Sequence, residues 1–161
     1  MIKVLIPGSF DPITKGHMNI IEQSSNLFDE VFVAVLKNAS KKNGFFTIEE
    51  RMEIIRDLYQ DRKNIQVVTG DVAVDLALSH ECSSIVRGLR NTTDFEEEML
   101  LAQINREISD NQINTICLFA DNSLTTVSSS MVKEIFSLDK NISKYVDPIV
   151  EEKMLVKRRK L

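Results

Sequence analysis

The sequence predicts an α/β fold, a doubly wound parallel sheet of five strands in a single domain. Three observations predict it. Short apolar runs alternate with amphipathic stretches in βαβαβ order, the order in which crossover helices join parallel strands. One run, Val31-Phe32-Val33-Ala34-Val35-Leu36, is apolar at every position, as a strand covered on both faces requires. The glycines Gly8, Gly16, Gly44, Gly70 and Gly88 fall at expected element ends or in loops. A chain of 161 residues with 43% hydrophobic content is long enough for one sizeable core. The domain is expected to span 1–161, with C-terminal helices from about 138.

Each element has its own signal. Ile2 to Pro7 reads as the first strand. His17 to Phe28 reads as a helix, because Ile20, Ile21, Ser24, Leu27 and Phe28 form one stripe. Val31 to Leu36 is the second strand. Thr47-Ile48-Glu49-Glu50 has the capping-box pattern, in which hydroxyl and carboxylate satisfy each other's free N–H groups, and opens a helix to about Tyr59. Ile65 to Thr69 is strand, Asp71 to His80 a short helix, and Ser84 to Arg87 strand. Asp94 to Ile108 is a long helix and Ile113 to Phe119 the fifth strand. The serines Ser128, Ser129 and Ser130 cap a helix to about Phe136, and Pro148 starts a last, charged helix.

Composition narrows the function. A net charge of −4 argues against non-specific nucleic-acid binding as the main activity. The basic tail Lys157-Arg158-Arg159-Lys160 reads as a solvated helix end. Cys82 and Cys117 are far apart and read as small buried apolar residues, not as a disulfide or zinc pair. No segment resembles a signal peptide, and Val31–Leu36 is too short to span a bilayer, so a cytoplasmic protein is expected.

In doubly wound sheets, ligands bind beyond the carboxyl ends of the strands. Three segments place chemistry there. The first is the loop Pro7 to His17, between strand and helix. His17 falls in the first helical turn, where free N–H groups and the helix dipole favour an anion. A lone histidine is more often a core residue, but Gly16-His17 at a strand–loop–helix junction points to a ligand. The loop lacks the Gly-Lys-Ser/Thr ending of a P-loop and the Gly-x-Gly-x-x-Gly dinucleotide pattern. The second segment, Arg87-Gly88-Leu89-Arg90, leaves the fourth strand with two side chains suited to bidentate phosphate contacts. Surface ion pairs would explain them equally well. The third is the serine triplet, with more hydroxyls than one cap needs. Lys41-Lys42 lies in the loop after strand two, beside the same sheet end, and His80 reads as structural.

Together, Thr14-x-Gly-His17, Arg87-Gly-Leu-Arg90 followed by Asp94-Phe-Glu, and Ser128-Ser-Ser-x-Val-Lys-Glu134 resemble the bacterial phosphopantetheine adenylyltransferase family of the nucleotidyltransferase superfamily. The resemblance runs from Ile2 to about Pro148. It implies a Rossmann-like enzyme that transfers the adenylyl group of ATP to 4′-phosphopantetheine, with Mg²⁺ held mainly by the ATP phosphates. It also implies a homohexamer. His17, Lys41 and Arg90 would be catalytic, His17 by stabilising the transition state. Ser9, Phe10, His17, Gly88, Leu89, Arg90, Glu98 and the run Leu124, Thr125, Thr126, Val127, Ser128, Ser129, Ser130 would surround ATP. Ser9, Lys41, Ala73 and Arg87 would hold phosphopantetheine. The sequence departs from the family pattern at Asp71, Glu97 and Leu124 to Thr126. Two rival readings follow from the same residues: a sister nucleotidyltransferase with another phosphate acceptor, and a non-catalytic nucleotide-binding module.

Overall fold

All five expected strands form, and they make one parallel sheet in the order β3-β2-β1-β4-β5. They are β1 (Lys3–Gly8), β2 (Glu30–Leu36), β3 (Ile65–Gly70), β4 (Ser84–Leu89) and β5 (Asn114–Phe119). The helices are α1 (Lys15–Leu27), α2 (Ile48–Leu58), α3 (Ala73–Ser79), α4 (Thr92–Ile108), α5 (Ser129–Ser137) and α6 (Pro148–Arg159). The structure, a computed structural model, describes residues 1–37 and 44–160.

Pairing along the sheet is uneven. β1 stays in register with β2 from Lys3↔Glu30 to Gly8↔Val35. It pairs with β4 only at Val4↔Ser84 and Leu5↔Ile85. Beyond that point the two strands diverge. This is also where chain order reverses, so a crevice opens at the topological switch point.

Both faces of the sheet are covered, as the all-apolar β2 requires. On one face Val4, Ile6, Val31, Val33 and Val35 pack with Ile21 of α1, Ile55 of α2, Val132 of α5 and Met154 of α6. On the other, Leu5, Phe32, Ala34 and Ile85 pack with Val74 and Ala77 of α3. α4 differs: Glu98 is its one buried residue, while Phe95, Met99, Leu100, Leu101, Ile104 and Ile108 are exposed.

Several boundaries and environments differ from expectation. β4 does not end at Arg87 but continues through Gly88 to Leu89. Gly88 is needed for packing, not for a turn: a Cβ there would lie 2.9 Å from Ile20 Cγ1. α4 starts two residues early because Asn91 caps it, accepting from the Asp94 N–H at 2.9 Å. α3 starts later than expected, and its N-cap Val72 has no side-chain acceptor. The Thr47–Glu50 capping box forms as predicted. Cys82 is buried, and burial pushes its thiol up to about 11. Cys117 is exposed, which corrects the expectation for it: β5 is an edge strand with thin cover. The basic tail is docked rather than fully solvated. Lys157 bonds Glu50 and sits 5.7 Å above the Phe46 ring, and Arg158 stacks 4.2 Å over Phe136. His80 stacks on Phe32 at 4.6 Å, the structural role expected of it. Among the described residues, no helix is long and apolar enough to cross a membrane.

The β1–α1 loop is fixed by a buried charge cluster that the sequence reading missed. Asp11, 3% exposed, accepts the Phe45 and Phe46 N–H groups at 2.8 Å each. Arg51 Nε of α2 lies 3.5 Å away and Lys133 Nζ of α5 lies 3.4 Å away. Arg51 also donates to the Ser9 carbonyl at 3.2 Å and to the Phe46 carbonyl. Removing one member of such a cluster strands a buried charge. Asp11→Ala is therefore expected to cost about 3–5 kcal/mol of stability, read by urea denaturation. A loss within about 0.5 kcal/mol, the level of an ordinary surface substitution, would show that the cluster is not a fixed point of the fold.

Candidate active site

Four segments converge on the crevice: the end of β1 with its loop, the start of α1, the end of β4 with the first turns of α4, and the start of α5. They enclose a cavity of about 360 Å³.

At the end of β1, the Phe10 ring covers Gly8 so closely that a Cβ on Gly8 would lie 2.9 Å from Phe10 Cζ. Phe10 takes a left-handed backbone, φ 46°, an unfavourable region for an aromatic residue, and is 2% exposed. Its ring meets His17 edge to face, with centroids 5.1 Å apart. Phe10 therefore forms a wall behind the imidazole.

His17 is held by a capping box in which histidine takes the place of the usual glutamate. Thr14 is the N-cap of α1; its Oγ1 accepts the His17 N–H at 3.4 Å. In return the Thr14 N–H donates to His17 Nδ1 at 3.0 Å. A backbone N–H can only donate, so Nδ1 must be the acceptor and the ring proton sits on Nε2. Burial, then the charges of Arg90 and Arg87, push the imidazole from 6.5 down to about 4. Near neutral pH, His17 is thus a neutral ring with one N–H donor on the side away from Thr14.

Both arginines of the second segment reach the cavity, and each is held by two kinds of acceptor. Arg87 bonds Glu98 side-on, Nε to Oε2 and Nη2 to Oε1, both at 2.8 Å. Its Nη1 donates to the Pro7 carbonyl at 3.1 Å, bridging β1 and β4 where their ladder has opened. Arg90 bonds Asp94 side-on, at 2.9 Å from Nε and 3.3 Å from Nη2. Its Nη1 donates to the Val127 carbonyl at 3.2 Å.

The serine triplet divides its work. Ser128 caps α5, accepting the Met131 N–H at 3.2 Å. Ser129 Oγ donates to the Pro12 carbonyl at 2.7 Å, tying α5 to the first loop. Ser130 is exposed.

Of the residues expected at a site, Ser9, Phe10, His17, Arg87, Gly88, Arg90, Glu98, Val127, Ser128 and Ser129 line this cavity. Leu89 is the buried last residue of β4. Leu124, Thr125 and Thr126 lie in and after a 3-10 turn, Asn122–Leu124, that leads to the cavity edge at Val127. Ala73 opens α3, and Lys41 lies outside the described residues. Three residues were missed. Asp94 had a visible signal, its i+4 spacing from Arg90 across a helix start. Asp11 and Arg51 had none, since their contact is made only by the tertiary fold.

The tautomer and the depressed basicity of His17 give a direct test. Its ¹⁵N resonances are expected to report a proton on Nε2 from pH 5 to 8, with titration near the lowered value of about 4. Because the unfolded chain takes up this proton first, His17 lowers stability as pH falls from about 6.5 to about 4, and adds nothing below that. Titration at the ordinary 6.5 would show that the ring is not buried beside the two arginines as described.

Residues 5–135 match the cytidylyltransferase-like family. A phosphopantetheine adenylyltransferase of Finegoldia magna is 45% identical over 152 residues, covering 93% of each chain. Among solved structures, a Vibrio parahaemolyticus protein assigned as a nicotinate-nucleotide adenylyltransferase superposes with a TM-score of 0.61. It is 18% identical, with 96% of this chain and 99% of that one covered. A lipopolysaccharide core biosynthesis protein of Thermoplasma volcanium gives 0.55 at 21% identity, covering 75% of this chain and 97% of its own. At such identities the two structures speak for the fold. With the sequence match over nearly its whole length, the chain belongs to the phosphopantetheine adenylyltransferases within the cytidylyltransferase-like family.

Proposed function

We infer that the chain transfers the adenylyl group of ATP to 4′-phosphopantetheine, giving dephospho-coenzyme A and pyrophosphate in coenzyme A biosynthesis. Family membership supports the reaction. The observation that carries the mechanism is His17, a neutral N–H donor fixed at a helix start beside two positioned arginines.

The attacking group is the acceptor's own phosphate, already largely dianionic near neutral pH because its second pKa is about 6. It needs no enzymic base and forms no covalent enzyme intermediate. The phosphate oxygen forms a bond to the ATP α-phosphorus, and the bond to the pyrophosphate oxygen breaks. The protein's work is to hold two polyanions in line and to meet the charge that builds on the α-phosphate. His17 Nε2–H and the N–H groups at the start of α1 would serve the α-phosphate. Ser9, Phe10, Gly88 to Arg90, Glu98 and Leu124 to Ser130 would surround ATP. Ser9, Lys41, Ala73 and Arg87 would hold the acceptor, with Arg90 and Lys41 assisting the transfer.

The charge of the cavity suits a metal–nucleotide complex. Two arginines among its described lining face three carboxylates, Asp94, Glu97 and Glu98, so the lining carries one net negative charge. Nucleotide phosphates entering that field are favoured by a divalent cation that travels with them. No cluster of three metal-ligating side chains exists among the described residues. By family resemblance Mg²⁺ would be held mainly by ATP, and it would supply charge neutralisation. The two free cysteines are compatible with a cytoplasmic location. The exposed apolar face of α4 supports self-association, because a monomer would leave Phe95, Leu100, Ile104 and Ile108 in water, and the family resemblance makes the assembly a homohexamer. The chain would act as one domain over 1–161.

Pyrophosphate release from ATP is the decisive assay. Release is expected only with 4′-phosphopantetheine, and a chelator should abolish it. Faster release with nicotinate or nicotinamide mononucleotide would assign the chain to a sister reaction; ATP binding without release would leave a binding module. His17→Ala is expected to lower kcat by about 10²–10³ with ATP affinity nearly unchanged; near-normal turnover would return His17 to a structural role. Light scattering is expected to give a hexamer mass, and Leu100→Glu to reduce it. A monomer mass for the unmodified chain at micromolar concentration would refute the assembly.

A further inference from the structure

A cavity built for two polyanions carries carboxylates of its own, and two of them are placed with regularity. Asp94 and Glu98 are one helical turn apart on α4, so they share a stripe. Each takes one arginine of the β4 end side-on, through Nε and Nη2. Each of these arginines then gives its Nη1 to a main-chain carbonyl, Pro7 for Arg87 and Val127 for Arg90. A guanidinium has five N–H donors in a rigid fork. In both cases three are used and two, one on each terminal nitrogen, have no partner among the described residues. Side-on carboxylate binding leaves the end-on edge of the fork, the edge that takes a phosphate bidentately.

We propose that Asp94 is a positioning residue for ATP: it fixes the Arg90 fork so that its end-on edge meets the nucleotide phosphates. This rests on the assignment of Arg90 to ATP made above. Asp94 is well built for the task. It accepts the Arg90 backbone N–H at 3.1 Å as well as the side chain, so both ends of the residue are held by one carboxylate. Its own N–H is bonded to the Asn91 cap at 2.9 Å, which fixes its place in the first turn of α4. The Val127 carbonyl closes the other side of the fork. Without Asp94 the long Arg90 side chain must be ordered when ATP arrives, at a cost in affinity.

The sign of the effect separates this role from simple electrostatics. A carboxylate that only adds negative charge, or that competes with phosphate for Arg90, weakens ATP binding, so its removal must strengthen it. A carboxylate that positions Arg90 does the opposite. The test uses the full-length enzyme, with ATP isotherms and KM values for both substrates on D94N, R90A and the double variant. Asparagine keeps the size of the side chain and one acceptor oxygen while removing the charge and one bond to the fork. D94N is expected to weaken ATP binding roughly three- to tenfold, with KM for 4′-phosphopantetheine within about twofold. In the R90A background the same change is expected to alter ATP binding by less than about twofold, because Asp94 acts through Arg90. Tighter ATP binding in D94N would overturn the proposal in favour of competition. An undiminished loss in the double variant would overturn it in favour of a general structural role. Unchanged ATP binding in R90A alone would remove the ATP assignment of Arg90, and the proposal with it.

Discussion

The site exists because β1 and β4 stop pairing after Leu5 and Ile85. Had their ladder continued as far as that between β1 and β2, the ends of the two strands would be closed against each other. Opening the ladder leaves main-chain carbonyls without strand partners, and such groups must be satisfied elsewhere. Arg87 does this for Pro7, and Ile20 of α1 fills the apolar part of the gap against Gly88. The crevice is therefore lined by the groups that compensate for it. A side chain that repairs the sheet is also one that lines the cavity.

Around the crevice, charge is used to fix position before it is used to bind. Asp11 gathers the β1–α1 loop, the Phe45–Phe46 segment, α2 and α5 about one carboxylate. Phe10 accepts a left-handed backbone between this cluster and His17. That strain is tolerable because neighbours on every side dictate it. The His17 ring then needs no charged partner. A backbone N–H sets its proton, and burial, helped by two nearby arginines, keeps it neutral. Much of the preorganisation thus comes from main-chain groups, which substitution of a side chain cannot easily remove.

Much of this was legible in the sequence, for a definite reason. Strand and helix identity follow from local apolar period, so the alternation of elements and the all-apolar β2 were readable. So was the Thr47–Glu50 box, whose partners are three residues apart. The convergence of His17, Arg87, Arg90 and Ser128 followed from the rule for sheet ends. What escaped was set by contacts between distant segments. The packing of Ile20, 2.9 Å from where a Cβ on Gly88 would lie, explains Gly88 inside a strand, yet nothing near Gly88 in sequence announces it. Cys117 was misjudged because an edge strand looks as apolar as a central one. The serine triplet has more hydroxyls than one cap needs, but its division of work, one serine capping, one tethering the first loop and one facing solvent, is set by the tertiary fold.

The order in which the chain is synthesised gives the contacts of the C-terminal third another meaning. The Lys15 N–H, at the start of α1, donates to the Tyr145 carbonyl at 2.8 Å, and Lys15 Nζ reaches the Ser143 carbonyl at 2.9 Å. Pro12 waits for Ser129, Asp11 for Lys133, and Phe46 for Lys157. The loop that carries His17 is made before these supports. A nascent chain can form β1 to β3 early, since those strands lie next to one another in both sequence and space. The first loop, by contrast, reaches its final hydrogen bonds only after residues 129–145 have been made.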